Sequence, residues 1–550
     1  MYRGDRDGRG TRDRIFTALG LLAAAGPSVV ARRARRYRWK KRLLEVPAEE
    51  ACRAWLRSHR SFATDPGRLR AVRESLGGLP EVQVAPLGAS PVSVDYPGAL
   101  PIAPAGPLGE ILSGSPAEFV VLLRPGWDLL PGGIAESVLR LRRRPEAIAL
   151  FGDEEIPSAG AGDGLPNWKP GWSGDHFRGS FYTGGVLVLR RDPAAAASRG
   201  IAGSGEGALY EVLLRIHERP GAVVHLPEIL SSRAGQAKGG GDRACREALA
   251  RWASFAGRSG PVEEGLVPGS WRIRTAAPKE ASLSVLVPTR DGGSWLGKCL
   301  SSLGRSSFPP AEIIVVDNGS RDTATLDYLR SVAGRKDVKI LSRPGRFRFS
   351  ALMNDAAREA RGDLLLFLND DTELLEPSSL DSMAAEAVRP DVGAVGPLLL
   401  YPDGAVQHAG LVVGMGVVAG HLYKGTERTG APWFVSPLVD REVSAVDGAC
   451  LMTRRDLFLR LGGFDDRRLP VSFSDVDFCL RARDEGLRVL YTPHARFTHH
   501  EGRTRRRGVD PREAVWMERR WAGRLDEDPF YHPALSLLDE YPRPRGEEHR

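Results

Sequence analysis

Three polar clusters follow apolar runs and carry side chains able to do chemistry. Asn369-Asp370-Asp371 follows Leu364–Leu368 (LLLFL). Adjacent carboxylates on a turn suit a hard divalent cation, and oxygen ligands favour Mg²⁺ or Mn²⁺ over zinc. Such a cation neutralises a diphosphate as it leaves. A polar turn that only caps a strand has the same composition. Pro288-Thr289-Arg290-Asp291 follows Leu283–Val287 (LSVLV), and Asp317-Asn318-Gly319-Ser320 follows Glu312–Val316 (EIIVV). No GxGxxG or GxxxxGK[ST] stands at these turns, so dinucleotide and P-loop binding are not indicated.

Further along, Ser474 and Asp477 have the spacing of a helix capping box. Asp475 lies between them, where a helix N-terminus stabilises a carboxylate as its anion, the form a general base needs. His499-His500 follows the strand-like run Val489–Thr492. An imidazole there either completes a metal shell or belongs to a partly exposed pair ahead of the basic run Arg503–Arg507.

These residues need a frame. From Leu283 strand and helix signals alternate: helical stretches at Trp295–Leu303, Thr323–Val332 and Ser350–Ala360 separate strands ending near residues 287, 316, 341 and 368. A βαβαβαβ order with continuous apolar strands predicts a doubly wound, mostly parallel sheet. Ligands of such sheets bind at the carboxyl ends of the strands, where the polar clusters stand.

The whole chain has 550 residues, and 42% of them are hydrophobic. This composition is globular, and the length predicts more than one domain. The net charge of +8 is uneven. Residues 1–60 carry 16 Lys and Arg against 6 Asp and Glu; the other 490 carry 61 against 63. A nucleic-acid enzyme would carry its excess in the body, so no nucleic-acid partner is expected. The segment Ile15–Ala31 is uncharged but short for a span, holds Gly26-Pro27, and shows no clear cleavage site. Eight basic residues follow between Arg32 and Arg42, which suits an anionic lipid surface. Five scattered cysteines with no CxxC pair argue against a disulfide framework or a zinc site and fit a reducing cytoplasm.

Residues 282–507 resemble the family 2 glycosyltransferases with the GT-A fold, closest to those of bacterial O-antigen or rhamnan type. The resemblance lies in IIVVDNGS (313–320), SALMNDAAREARGDLLLFLNDD (350–371), YPDGAVQHAG (401–410), VSAVDGACLMTRRD (443–456), FSDVDFCLR (473–481) and HHEG (499–502). It implies that Pro288, Thr289 and Asp317 form the nucleotide pocket. Asn369-Asp370-Asp371 corresponds to the DxD element, with Asn in place of its first Asp. By the same resemblance Asp371 is a metal ligand, Asp370 faces the donor sugar or ribose, and Gly448 belongs to the glycine loop near the donor sugar. Asp475 is the catalytic base, although Ser474 stands where Glu is often found. His499 joins the metal shell, with His500 as the competing choice. The implied reaction is an inverting, metal-dependent transfer from a nucleotide-diphosphate sugar to a saccharide or polyprenol-linked saccharide acceptor.

The preceding half reads as a worn copy. At an offset of 245 residues EFVVLLRPGWDLLPG (118–132) lies on the DLLLFLNDD stretch, and TGGVLVLRRD (183–192) resembles DGACLMTRRD (447–456). Asp370 and Asp371 fall on Pro125 and Gly126, Asp475 on Leu209 and His499 on Arg233. No strand resembling the VPTR segment precedes residue 118, so the front of this copy is expected to be short or missing.

The expected organisation is a basic arm (1–60), a degenerate, inactive GT-A-like domain (80–235), a helix and linker (236–281), a catalytic GT-A domain (282–507) and a tail (508–550). The expected location is cytoplasmic, peripheral on the inner face of the membrane. Two alternatives stand beside it. A non-catalytic saccharide-binding scaffold would not need Asp371, Asp475 and His499 together. A nucleotidyltransferase usually carries a Gly-rich loop with Lys after the first strand, where this chain has PTRDGGSW.

Overall fold

A computed structural model describes residues 46–545, apart from 64–65, 76–79, 88–93, 95, 97, 102, 104–105, 158–163, 234–241, 259 and 502–508. The segment Ile15–Ala31 and the basic runs at 32–42 and 503–507 lie outside the described residues. Among the described residues no helix is long and apolar enough to cross a membrane.

The chain folds as two α/β repeats. The first has β1 (Val82–Pro86), β2 (Phe119–Leu123), β3 (Trp127–Leu129), β4 (Ala149–Ile156), β5 (Val186–Arg190) and β6 (Val223–Arg233), in the sheet order β1-β2-β5-β4-β6-β3. The second has β7 (Leu283–Thr289), β8 (Glu312–Asp317), β9 (Val338–Ser342), β10 (Leu364–Leu368), β11 (Thr372–Leu374), β12 (Val392–Leu400), β13 (Cys450–Arg454) and β14 (Arg488–His499). Its order is β9-β8-β7-β10-β13-β12-β14-β11. The strands from β9 to β10 are parallel, as expected; β13 then runs antiparallel and makes the sheet mixed.

The central strands are apolar throughout because both sheet faces are covered. Val285, Val287 and Leu366 pack with Leu296 and Leu300 of the helix Gly293–Leu303. Leu286, Leu365 and Phe367 point the other way and pack with Met353, Ala356 and Ala357 of Phe349–Glu359. The period-two alternation of side chains assigns each residue to its face.

Pairing register shows that the two halves are built alike. β2 pairs with β5 from Phe119↔Arg190 to Leu123↔Val186, as β10 pairs with β13 from Leu364↔Arg454 to Leu368↔Cys450. β4 and β6 are parallel and bulged, and so are β12 and β14. Trp127 lies opposite Arg233 as Thr372 lies opposite His499.

One expectation is corrected. A front strand does precede residue 118: β1 runs parallel to β2 from Val82↔Phe119, as β7 runs beside β10 from Leu283↔Leu364. Among the described residues the two-residue strand Ala99–Leu100 is what stands next to β1, where β8 stands in the second repeat. Among the described residues β9 has no counterpart in the first sheet. The front is therefore shortened, and its strand was hidden in a Pro- and Gly-rich stretch.

The repeats are tied by buried polar contacts. Asp175 bonds Arg488 and lies 2.8 Å from Arg389, and Glu442 accepts the Gly174 N–H at 3.1 Å. Residues 509–545 belong to this assembly. The Asp528 carboxylate accepts the Val413 N–H at 2.8 Å, and His532 Nε2 lies 2.7 Å from Asp153 in the first repeat. His225 Nε2 approaches the other oxygen of Asp153 at 2.9 Å. Burial would raise the Asp153 carboxyl, but the two imidazoles hold it below the ordinary carboxylate range.

Candidate active site

The predicted residues converge at the carboxyl ends of the parallel strands. Thr289 ends β7, Asp317 ends β8, and their backbones pair directly. Pro288 precedes Thr289 in β7 and pairs with Val316. The Asn369 N–H bonds Ala449 O at 3.0 Å, which joins the turn after β10 to the loop entering β13.

Asp370 is buried, and its Oδ2 accepts the Thr289 hydroxyl at 2.7 Å. Burial pushes this carboxyl up to about 7; the Thr289 bond opposes that, and the charge of Asp371 adds to it. Gly292 makes room here, since a Cβ on it would lie 2.5 Å from Asp370 Oδ2. Asp317 is committed in part to its own loop. Its Oδ1 accepts the Ser320 N–H at 2.9 Å and the Ser320 hydroxyl at 2.6 Å.

Asp371 faces His499, with Oδ1 at 3.2 Å from Nε2. Both residues are buried. The other ring nitrogen, Nδ1, lies 2.6 Å from Gln407 Oε1. The Gln407 amide is oriented by its Nε2, which donates to His499 O at 3.3 Å. With the Nδ1 hydrogen directed at Gln407, Nε2 lies between Asp371 Oδ1 and the Asn369 amide, whose Nδ2 is 3.3 Å away. A proton or a cation at Nε2 would bridge the ring to the Asp371 carboxylate. Burial disfavours the proton, but the hydrogen bond and charge of Asp371 hold the His499 pKa above its ordinary value. An imidazole fixed through its far nitrogen, beside buried carboxylate oxygen, is a donor set that fits Mg²⁺ or Mn²⁺. His500 takes no part in it: its Nε2 bonds Glu373 Oε1 at 2.8 Å and its ring lies against Trp295. Successive residues point to opposite sides, so only one histidine can face Asp371.

Asp475 lies in the first turn of the helix Ser474–Asp484. Its Oδ2 accepts the Gly448 N–H at 2.7 Å, and its Oδ1 accepts the Val476 N–H at 2.9 Å. The capping box is not formed. The helix starts at Ser474 itself, after Phe473 in the left-handed conformation at φ 62°, and no side chain caps it. Asp477 instead sits in the core, where it accepts Arg481 Nε at 2.8 Å and Trp521 Nε1 at 3.0 Å.

Sequence reasoning missed Gln407 as the residue that orients His499. It also missed a His–His–Asp group behind the site. His408 Nδ1 lies 3.2 Å from His421 Nδ1, and His421 Nε2 lies 3.7 Å from Asp447. Asp447 precedes Gly448, so this group anchors the loop that holds Asp475. These histidines come from the short strands Val406–His408 and Ala419–His421, and no local spacing announces that they meet.

Residues 284–435 match the family described as Glycosyl transferase family 2. The second repeat is a family 2 glycosyltransferase domain with the GT-A fold. The chain is 36% identical over 440 residues to the uncharacterized protein y4gI of Sinorhizobium fredii, covering 74% of this chain and 48% of that one. It is 35% identical over 435 residues to the O-antigen biosynthesis protein RfbC of Myxococcus xanthus, covering 76% of this chain and 34% of that one. It thus spans about half of the first relative's length and about a third of the second's. A 248-residue stretch is 28% identical to an N-acetylglucosaminyl-diphospho-decaprenol L-rhamnosyltransferase of Mycobacterium tuberculosis, covering 42% of this chain and 78% of that one. The structure of GalNAc-T7 with UDP, GalNAc and Mn²⁺ aligns with a TM-score of 0.36 at 16% identity, covering 46% of this chain and 49% of that one.

Proposed function

We propose that this chain is an inverting, metal-dependent glycosyltransferase with one active site, in the second repeat. It moves a sugar from a nucleotide-diphosphate donor to a saccharide or lipid-linked saccharide acceptor in cell-surface polysaccharide synthesis. The observation that carries this reading is the convergence of Asp371 Oδ1 and His499 Nε2, 3.2 Å apart, beside the buried carboxyl of Asp370.

Asp371 and His499 would hold Mg²⁺ or Mn²⁺, with Asp370 beside them toward the donor. A bound cation supplies charge neutralisation for the departing diphosphate. Pro288, Thr289 and Asp317 receive the base and ribose, and Thr289 also fixes Asp370 through its hydroxyl. Asp475 takes the proton from the acceptor hydroxyl. Gly448 holds the carboxylate by its N–H, and the helix N-terminus favours its anion. The acceptor oxygen attacks the anomeric carbon opposite the leaving group, and one displacement inverts the configuration. The first repeat has Pro125 and Gly126 in place of Asp370 and Asp371, Arg233 in place of His499, and Gly207 as the second residue of the helix that matches Ser474–Asp484, which supports its having no transferase activity. The basic segment at 1–45 would place the enzyme against the inner face of the membrane; the rest of the expected arm is the helix Ala48–Ala63, which packs into the body through Cys52 and Leu56.

The test is a screen of labelled nucleotide sugars with Mg²⁺ or Mn²⁺. Release of nucleoside diphosphate supports the reading; release of pyrophosphate overturns it. Removal of residues 1–45 should release the protein from anionic vesicles, and unchanged pelleting would contradict the role of the arm.

A further inference from the structure

Among the described residues two His–His–Asp groups bring one donor atom of each side chain within 4.8 Å of the others. They differ in how far the protein itself satisfies them. In the first repeat Asp153 is closed by hydrogen bonds: His225 and His532 approach it at 2.9 and 2.7 Å, and the Lys169 N–H donates to it at 2.9 Å. The far nitrogen of His532 accepts the Ala534 N–H at 3.0 Å. That group needs no ion.

The other group, His408, His421 and Asp447, is not closed in this way. His421 Nε2 stands 3.7 Å from Asp447 Oδ2, beyond hydrogen-bond reach. Two donors held about 2.0–2.1 Å from one tetrahedral ion stand roughly 3.3 Å apart, so the gap is nearer to the edge of a metal site. His408 Nδ1 faces His421 Nδ1 at 3.2 Å, and the other nitrogen of the fully buried His408 has no hydrogen-bond partner. Asp447 Oδ1 accepts the Ala449 N–H at 2.9 Å, and Oδ2 is the oxygen turned to His421.

The charge states suit a cation as well. Burial pushes both imidazoles down, His408 to about 3, so each is neutral with a lone pair to offer. Burial would raise the Asp447 carboxyl, but the neighbouring histidines hold it below the ordinary range, as an anion. Neutral imidazole and ionised carboxylate are the forms that bind metal. The His421 and Asp447 side chains keep 24% and 22% exposure, which gives an ion a way in. Imidazole nitrogen favours zinc-class ions over Mg²⁺. The cysteine pattern argues against a thiolate site, and this donor set uses no thiolate.

We infer that His408, His421 and Asp447 form a second metal site, for a Zn²⁺-class ion with water completing its shell. Asp447 precedes Gly448, whose N–H holds Asp475 at 2.7 Å, so an ion on Asp447 fixes the loop beside that carboxylate. The inference concerns metal binding and does not require the transferase reading.

Full-length Asp371→Ala, in which the donor-site pair is broken, is stripped of metal and titrated with Zn²⁺ against a chromophoric chelator. One equivalent is expected to bind. Adding His421→Ala is expected to weaken it by more than about 100-fold, since loss of a partner that only orients a ligand already costs about 10–100-fold. A thermal melt without metal checks the fold of both variants. Co²⁺ in Asp371→Ala reads the coordination with the group intact: the intense visible bands of a four-coordinate ion are expected, and Zn²⁺ should abolish them. Absence of tight Zn²⁺ binding in Asp371→Ala, equal affinity in the doubly substituted protein, or the weak spectrum of six-coordinate Co²⁺ overturns the inference.

Discussion

Gly292→Ala tests the geometry of the site without touching a residue that carries its chemistry. Gly292 has φ −115°, an ordinary conformation for alanine, so the backbone itself does not resist the change. The added Cβ would stand 2.5 Å from Asp370 Oδ2 and 3.2 Å from Thr289 Oγ1. Ordinary contact begins near 3.4 Å, so the carboxylate must retreat by about 0.9 Å. A misplacement of about 1 Å at a reacting centre costs on the order of 100-fold in rate. Overpacking costs roughly 1–3 kcal/mol, which a two-repeat protein should survive. The assay is initial-rate release of nucleoside diphosphate, with a thermal melt on the same sample. A folded variant with wild-type kcat/KM would refute the placement of Asp370 in the donor site.

Other perturbations read different parts of the account. Asp475→Asn should lower kcat by about 10²–10⁴ with little change in melting temperature, as expected for loss of a general base. Gln407→Leu removes the group that orients His499, and the Mn²⁺ concentration giving half-maximal activity should rise about 10–100-fold. Asp175→Ala leaves Arg389 and Arg488 without their shared carboxylate between the repeats; denaturant unfolding should show a loss of about 3 kcal/mol. His176 supplies a pH signature. Burial pushes its pKa down from 6.5 to about 3, with the charge of Arg441 acting the same way. The unfolded chain therefore takes up this proton below pH 6.5 while the folded chain does not, and stability falls as pH drops toward 3. Between neutral pH and pH 5 the loss is about 2 kcal/mol, and His176→Phe should remove that component of the slope.

Much of the fold could be read from local pattern. LSVLV, EIIVV and LLLFL are apolar without alternation because helices cover both faces, and their polar successors mark the ligand edge. The likeness of the two halves shows in the pairing of β2 with β5, which has the same antiparallel register as β10 with β13. What escaped was non-local or depended on one backbone angle. Gln407 reaches His499 across 92 positions of sequence. His499 was preferred over His500 by resemblance alone; strand pairing turns His499 toward Asp371 and His500 toward Glu373. The Ser474 cap failed because Phe473 takes a left-handed conformation, which starts the helix at Ser474 itself. Strand β1 was missed because it is five residues long and its last residue is a proline.

The most direct test of the central claim compares the wild-type protein with Asp475→Asn and Asp371→Ala, given one labelled nucleotide sugar, Mn²⁺ and a saccharide acceptor. The account predicts transfer with release of nucleoside diphosphate by the wild type and loss of transfer in both folded variants. Normal turnover by either variant would contradict it, because the second repeat would then not hold the working site.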